Sequence, residues 1–130
     1  MEFIMSNYPK LSVAFEIAYY NEDRIQAFEL YQKAFNAKKI SEFSPEGPDP
    51  HNLHILMEIN GFEILLHPSK EKRERGVVGC QLHFDNEDDL RKAYDILIKE
   101  GQNYSIGSYP HAPVSALVTD KYGVGWWLHT

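Results

Sequence analysis

The sequence predicts an α+β fold of two tandem βαβββ modules. Segments with alternating apolar residues, typical of strands, outnumber helical segments in the 130-residue chain. Each half opens with a strand that leads into one amphipathic helix, and the halves repeat their residue pattern. We therefore divide the chain into an N-terminal extension (1–10), module one (11–67), a linker (68–76) and module two (77–130), which together form one compact domain.

Module one is predicted to start with a strand at 11–20, where apolar residues alternate. Asn21 and Asp23 offer cap chemistry for the next helix, which should fade near Asn36. The apolar stripe of that helix has spacings of three and four: Ile25, Phe28, Tyr31 and Phe35. A strand at 39–43, a proline-rich loop at 44–50 and a hairpin of strands 54–59 and 62–67 around the Asn60-Gly61 turn complete the module.

Module two repeats this order after a charged linker without periodicity. A strand at 77–85 precedes a helix at 86–101, for which Gly101 is the predicted stop. The apolar face of that helix contains Leu90, Ala93, Tyr94 and Leu97. Weaker strands are predicted at 104–106, 115–119 and 125–129, with a turn at 121–123.

The two halves also match position by position. Val13 and Glu16 match Val78 and Gln81 at a separation of 65 residues, and the segments 21–23 and 86–88 match at the same separation. GFEILLH (61–67) matches GVGWWLH (123–129) at a separation of 62. A difference of three residues is readily absorbed in loops, so the pattern indicates an intramolecular duplication.

The composition excludes several classes of function. A net charge of −6 argues against nucleic acid or an anionic membrane as the main partner. No apolar run is long enough to cross a bilayer, and the first ten residues do not resemble a secretory signal. The single cysteine, Cys80, lies in an apolar run, reads as a core residue and fits a reducing compartment, so we expect a cytoplasmic protein. Nucleotide-binding glycine motifs and the Gly-x-Ser-x-Gly elbow are also missing from the sequence.

Three segments carry a resemblance to a known family: NEDRIQAFELYQKAFNA, HILMEINGFEILL and VTDKYGVGWWL. They are similar to the vicinal oxygen chelate superfamily (glyoxalase/bleomycin-resistance/dioxygenase), and in particular to its PhnB-like branch, whose closing Asp-Lys-aromatic-Gly-Val turn the last segment resembles. The resemblance covers roughly residues 11–129. It implies that the paired modules form curled mixed sheets around a ligand cavity and, by family analogy, that the protein is a homodimer.

Metal-using members of this family place one ligand on the first strand and one on the last strand of each module. The resemblance implies that these positions are Glu16, Leu65, Gln81 and Trp127 here. Leucine and tryptophan cannot bind a metal, and one carboxylate with one amide is too few ligands for a tight divalent site. No cofactor is therefore favoured, although a divalent metal stays possible.

A shifted metal site is the alternative. His67 and His129 lie two residues beyond the leucine and tryptophan positions, and His83 lies two residues beyond Gln81, so alternation puts all three on the ligand-bearing faces. With Glu16 these histidines could form the site; the favoured interpretation is that they make ordinary hydrogen bonds at strand ends. His54 at the start of the third strand could face the cavity, and His111 lies in a YPHAP loop that could act as a lid.

The predicted cavity suggests a small-molecule ligand. Its candidate residues are Glu16, Tyr20, Leu65, Gln81, His83, Asp85, Trp127 and His129. Aromatic faces with carboxylates suit a planar or cationic organic molecule, so the first hypothesis is a binding protein without the metal quartet. The alternatives are a metal-dependent lyase, isomerase or dioxygenase, a metal-free acid–base enzyme using Glu16 and His83, and a domain that binds a protein partner. The sequence leaves open whether the protein is an enzyme.

Overall fold

A computed structural model describes residues 15–45, 47–71, 78–109 and 112–130. In this part of the chain the first half contains β1 (Phe15–Tyr20), α1 (Asp23–Phe35), β2 (Lys38–Phe43), a 3-10 turn (Pro50–Asn52), β3 (His54–Ile59) and β4 (Phe62–Ser69). The second half contains β5 (Val78–His83), α2 (Glu87–Leu97), β6 (Gln102–Tyr109), β7 (Ala112–Thr119) and β8 (Val124–His129). The predicted α+β fold of two βαβββ modules is confirmed.

Each module forms a four-stranded mixed sheet with the same topology. The N-terminal sheet has the order β1-β4-β3-β2 and the C-terminal sheet has the order β5-β8-β7-β6. In each sheet the first and last strands of the module are parallel neighbours, and the other pairs are antiparallel. The register places Glu16 opposite Leu65 and Gln81 opposite Trp127, which are equivalent positions of the predicted duplication.

Helix α1 buries a different stripe from the predicted one. Phe28 and Tyr31 are buried as expected, but Ile25 is 38% exposed, and the fully buried Arg24 takes its place on the inner face. The predicted caps are also wrong: Glu22 is the N-cap residue and makes no side-chain cap hydrogen bond. The helix ends as predicted at Asn36, whose left-handed backbone (φ 56°) places its N–H on a carbonyl of the last turn.

Helix α2 buries Leu90, Ala93, Tyr94 and Leu97, as predicted. Its N-cap is Asn86, whose side chain accepts a hydrogen bond from the backbone N–H of Asp89 at 2.8 Å. The predicted stop at Gly101 is wrong, because α2 ends at Leu97 and the left-handed residue is Glu100. Gly101 is required for packing instead: a Cβ there would lie 2.4 Å from the carbonyl oxygen of Thr119.

The hairpin turns follow the chemistry of their residues. Asn60 and Gly61 both have positive φ (49° and 86°), as a two-residue turn of the favoured type requires, and Glu58 accepts a hydrogen bond from the Gly61 N–H at 3.0 Å. The equivalent turn of the second module is longer and closes at Gly123, which has the same φ of 86°.

Strand ends differ from the predictions by up to three residues. β6 and β7 are longer than predicted, and β4 extends to Ser69, so the first two residues of the predicted linker are in a strand. The N-terminal extension, residues 11–14 of the first predicted strand, most of the charged linker and His111 lie outside the described residues. Neither described helix is long and apolar enough to cross a membrane.

The two modules share one core through their helices. The ring of Tyr31 on α1 lies edge-on to Trp126 of β8, with centroids 5.1 Å apart, and Phe35 packs against the same indole at 4.7 Å. Tyr19 of β1 similarly meets Tyr122 of the second module at 6.2 Å. Residues from both modules thus form a single cluster, which leaves one face of each sheet turned away from the helices.

A buried carboxylate ties this shared core together. Asp120 is 1% exposed, and its Oδ2 accepts hydrogen bonds from the Tyr31 hydroxyl (2.7 Å) and the Trp126 indole N–H (2.9 Å). Its Oδ1 accepts two more from the backbone N–H groups of Tyr122 and Val124. Burial raises the pKa of Asp120 above its ordinary value, and the four hydrogen bonds oppose that shift because they favour the charged form.

Candidate functional site

The faces turned away from the helices, which we call the open faces, carry the predicted cavity residues that lie in strands. In β1, β4, β5 and β8 these residues alternate with buried ones such as Ile17, Leu66 and Trp126. The open-face candidates are Glu16, Tyr20, Leu65, Gln81, His83, Trp127 and His129. All of them are half-buried or exposed, and they are therefore accessible to a ligand.

The C-terminal open face holds a compact polar and aromatic cluster. The side-chain Nε2 of Gln81 lies 3.0 Å from Nε2 of His129, and since the amide nitrogen can only donate, His129 accepts with Nε2 and carries its proton on Nδ1. The ring of His129 lies 5.3 Å from the ring of His83 and 5.3 Å from that of Trp127. The Trp127 indole N–H donates to the Ser115 hydroxyl at 2.5 Å, which fixes the indole plane.

The N-terminal open face provides negative charge and an aromatic edge. Glu16 is exposed and lies opposite the half-buried Leu65, as the duplication predicts. Tyr20, two residues farther along β1, is 38% exposed. These side chains belong to a different sheet from Gln81 and Trp127, so the structure divides the predicted cavity set into two groups.

Asp85 does not take the predicted place. β5 ends at His83, and Asp85 lies in the bend before α2, where strand alternation no longer determines its direction. It is exposed. The sequence pattern extended the strand through Phe84 and Asp85, whereas Phe84 donates its backbone N–H to the carbonyl of His129 as the chain leaves the sheet.

The histidines of the shifted metal site also fall into two groups. His83 and His129 are neighbours, but His67 lies beside His54, with ring centroids 5.9 Å apart. Within the described residues no group of three His, Cys, Asp or Glu side chains is arranged to hold a metal ion. His54 is at the start of β3, as predicted, and its other ring face stacks on Phe43 at 5.4 Å.

A wide depression of about 710 Å³ lies beside this second histidine pair. It is lined by the β1–α1 turn, the 3-10 turn and the end of β4, with the side chains of Glu22, Asp23, His51, His54 and His67 among its walls. A smaller depression of about 440 Å³ lies between α1 and β2 and is lined by Ile25, Phe28 and Leu53, among others. Neither one was predicted from the sequence, because both depend on how loops fold against α1.

Arg24 was missed by sequence reasoning and shapes the larger depression. Its guanidinium donates to the backbone carbonyls of Asn21 (2.8 Å), Pro50 (3.0 Å), His51 (3.3 Å) and Leu53. It thereby fastens the 3-10 turn to the first turn of α1. Burial lowers the pKa of Arg24, with Glu22 acting in the opposite direction, but a guanidinium stays charged at neutral pH.

Comparison with known proteins decides the family. Residues 15–128 match the family model of the Glyoxalase/Bleomycin resistance protein/Dioxygenase superfamily. The chain belongs to this superfamily. A comparison with curated proteins found no match.

Solved structures of this superfamily share the fold. The PhnB protein from Bacillus cereus has a TM-score of 0.75 at 20% identity, over 92% of this chain and 98% of that one. FosX from Mesorhizobium loti, a fosfomycin resistance protein, has a TM-score of 0.66 at 12% identity, over 95% and 93%. A FosX variant from Listeria monocytogenes, solved with Mn(II) and 1S,2S-dihydroxypropylphosphonic acid, has a TM-score of 0.66 at 15% identity, over 94% and 93%.

A metal is therefore possible in this superfamily. In this glyoxalase-like chain, however, the residues at the four expected ligand positions do not suit a metal ion. The register places Leu65 beside Glu16 and Trp127 beside Gln81, and neither leucine nor tryptophan offers a donor atom. Gln81 is engaged with His129 instead. The donor set at these four positions is thus incompatible with a four-ligand divalent site.

Proposed function

We propose that this glyoxalase-like protein binds a small planar or cationic organic molecule on its open faces, without the metal quartet, and that it does so in the cytoplasm. The single observation that carries the proposal is the cluster around Trp127. The indole is half-buried and held in place by Ser115, and its neighbour His129 is held by Gln81. A fixed aromatic surface between hydrogen-bonding groups orders a flat ligand at little entropic cost.

The charge of the open faces favours a cation over an anion. Glu16 is exposed on one open face, and strand alternation places no lysine or arginine on β1, β4, β5 or β8. The net charge of −6 acts in the same direction. A cation above the face of a tryptophan gains roughly 0.5 to 2 kcal/mol, depending on how far it is desolvated.

Ligand binding should depend on Trp127 and should not require a metal. Tested with N-methylacridinium, neutral anthracene and 1-naphthalenesulfonate as probes, the protein should bind the cation most tightly, and Trp127→Ala should weaken that binding about tenfold because the stacking surface is lost. Isothermal titration calorimetry, which does not depend on the tryptophan being replaced, measures the dissociation constants. Phe62→Ala is the matched control, since Phe62 is a 50% exposed aromatic residue on the other face of β4.

Unchanged affinity of Trp127→Ala would contradict the proposal.

A second candidate, a metal-dependent lyase, isomerase or dioxygenase, has one observation in its favour, the adjacency of His83 and His129. Binding or turnover that is abolished by a chelator and restored by Mn²⁺, Ni²⁺ or Zn²⁺ would favour that candidate. Binding that is indifferent to the chelator supports the metal-free site.

The site is closed, we further propose, by a second copy of the chain. The extensive strand contacts lie within each sheet, and the modules meet through α1 and α2, so the open faces of one chain do not cover each other. Apolar side chains remain exposed on them, for example Tyr20 at 38% and Leu117 at 42%. Packing the N-terminal open face of one copy on the C-terminal open face of another would bury them and place Glu16 near Gln81 and Trp127.

Complementation tests this arrangement. Glu16→Lys and Trp127→Ala should each bind the cationic probe about tenfold more weakly or worse, but after the two variants are unfolded together and refolded, about a quarter of the sites should have wild-type affinity. The reason is that a mixed dimer combines the unchanged N-terminal sheet of one chain with the unchanged C-terminal sheet of the other. Recovery is measured by fluorescence titration, and a mixture without recovery would show that the site forms within a single chain.

A further inference from the structure

The strongest feature outside the proposed ligand site is the histidine pair of the N-terminal sheet. His54 of β3 and His67 of β4 lie one position beyond the paired residues Ile55 and Leu66, directly across two antiparallel strands. Both are half-buried, and strand alternation puts them on the same face. Their rings are 5.9 Å apart and nearly parallel, at 19°. Two imidazoles with this cross-strand spacing can reach one small ligand.

The hydrogen bonds of the pair determine which nitrogen is available. Nδ1 of His54 lies 2.8 Å from the carbonyl oxygen of Asn52, and Nδ1 of His67 lies 3.3 Å from the carbonyl oxygen of Pro68. Since a carbonyl can only accept, each Nδ1 carries the proton when the ring is neutral, and each Nε2 keeps a lone pair. No described residue forms a hydrogen bond with either Nε2. A ring N–H held by a carbonyl is the arrangement that orients histidine ligands of metals.

The surroundings of the pair limit its movement. Phe43 stacks on the far side of His54 at 5.4 Å and 25°. Arg24 holds the carbonyl of Leu53, next to Asn52, so the acceptor of the His54 Nδ1–H is itself fixed. The ring of His54 is therefore held at two points, by Phe43 and by the Asn52 carbonyl.

The pair is accessible from a depression that favours a cation. Both histidines line the depression of about 710 Å³, whose walls carry two carboxylates, Glu22 and Asp23, and one lysine, Lys70. Nδ1 of His51, in the same wall, lies 2.5 Å from a carboxylate oxygen of Glu22. Carboxylates and water in this space can fill the coordination positions that two histidines leave open.

We propose that His54 and His67 bind a late first-row divalent cation, such as Zn²⁺, Ni²⁺ or Cu²⁺, through their Nε2 atoms. Imidazole is a preferred ligand of these ions, whereas Mg²⁺ and Ca²⁺ prefer oxygen. The described residues hold no prearranged group of three ligands, so the site has two histidine ligands and keeps positions open to solvent or to a bound molecule. It uses none of the four strand positions at which the family places its metal, and both of its ligands belong to the N-terminal sheet, whereas Trp127 belongs to the C-terminal sheet.

The duplication provides a matched control. His83 and His129 are also directly opposite each other on adjacent strands, with rings 5.3 Å apart. Nε2 of His129, however, accepts a hydrogen bond from Gln81, so its lone pair is occupied. The two pairs therefore differ in the availability of Nε2 and resemble each other in spacing.

Zinc titration by calorimetry on the metal-free full chain tests the proposal. Wild-type protein should bind one Zn²⁺ per chain, and His54→Ala and His67→Ala should each weaken binding about tenfold or more, since a ligand is lost. His83→Ala should leave Zn²⁺ affinity unchanged. Equal weakening by His83→Ala, or Zn²⁺ affinity that survives both His54→Ala and His67→Ala, would overturn the proposal.

Nitrogen NMR of the histidine rings gives a second readout that needs no variant. Addition of Zn²⁺ to wild-type protein should shift the Nε2 resonances of His54 and His67 and leave those of His83 and His129 in place. Shifts confined to the second pair, or the absence of any shift at His54 and His67, would contradict the site. Since neither measurement involves an organic probe, failure here is distinguishable from failure of the ligand site.

Discussion

Replacing Asp120 with alanine should lower the free energy of unfolding by about 4 kcal/mol, the largest effect that we expect of a single substitution in this protein. The change removes the acceptor of four hydrogen bonds in a region without access to water. The indole N–H of Trp126 and the backbone N–H of Val124 would stay buried without a partner. Urea denaturation, followed by circular dichroism, measures the loss.

The other β-hairpin turn supplies the control for this substitution. The carboxylate of Glu58 also accepts a hydrogen bond from a turn residue, the backbone N–H of Gly61, but this hydrogen bond lies at the surface. Glu58→Ala should therefore cost less than about 1 kcal/mol. A similar cost for Glu58→Ala and Asp120→Ala would show that the buried network contributes no special stability.

Titration of Asp120 gives this prediction a characteristic pH dependence. Burial raises the pKa of Asp120 in the folded state, so the folded protein binds the proton more tightly than the unfolded chain does. The contribution of this carboxyl to stability is then greatest when it is protonated, and it decreases as the pH rises through the folded-state pKa. The stability of the wild type relative to Asp120→Asn should therefore decrease from acidic to neutral pH in denaturation experiments.

Replacing Arg24 with alanine should lower the free energy of unfolding by roughly 3 kcal/mol. The buried guanidinium donates to four backbone carbonyls. Its removal leaves a cavity beside α1 and takes a donor away from each carbonyl, of which Pro50 keeps the Leu53 N–H. We also expect the 3-10 turn at Pro50–Asn52 to detach, because Arg24 is its main connection to the helix. Denaturation measures the first effect, and hydrogen exchange of the Asn52 and Leu53 amides measures the second.

Arg91 is the matched control. It is an exposed arginine on α2, paired with Glu87 one turn earlier. Because exposed ion pairs contribute little, Arg91→Ala should leave the free energy of unfolding nearly unchanged. If Arg24→Ala were equally mild and amide exchange in the turn stayed slow, the role assigned to the Arg24 hydrogen bonds would be wrong.

Features set by local chemistry were predictable from the sequence. Asn60-Gly61 identified a hairpin because few other residue pairs adopt positive φ in succession. The repeat in the sequence predicted that Leu65 and Trp127 are equivalent residues of the two modules. The strand register confirms that they occupy equivalent positions. Residues repeated within one chain thus located the open faces of both sheets.

Features set by long-range contacts were not predictable. Arg24 is a poor candidate for a core position from its side chain alone, and it is buried because four carbonyls converge on it, three of them distant in sequence. The adjacency of His54 and His67, in contrast, follows from the two-residue Asn60-Gly61 turn, which fixes the register of β3 and β4. For Asp85 the prediction differs from the structure because the strand alternation was extended beyond His83, where β5 ends.

The hydrogen-bonded network of the shared core has a further consequence for how this protein can change over evolutionary time. Tyr19, Tyr31, Asp120 and Trp126 join the modules by polar contacts. Two of these residues have apolar counterparts in the other module: Tyr19 matches Phe84 at a separation of 65 residues, and Trp126 matches Ile64 at a separation of 62. The two halves have therefore become specialised and are no longer interchangeable, and the substitutions that each of the four network residues tolerates depend on the identity of the other three.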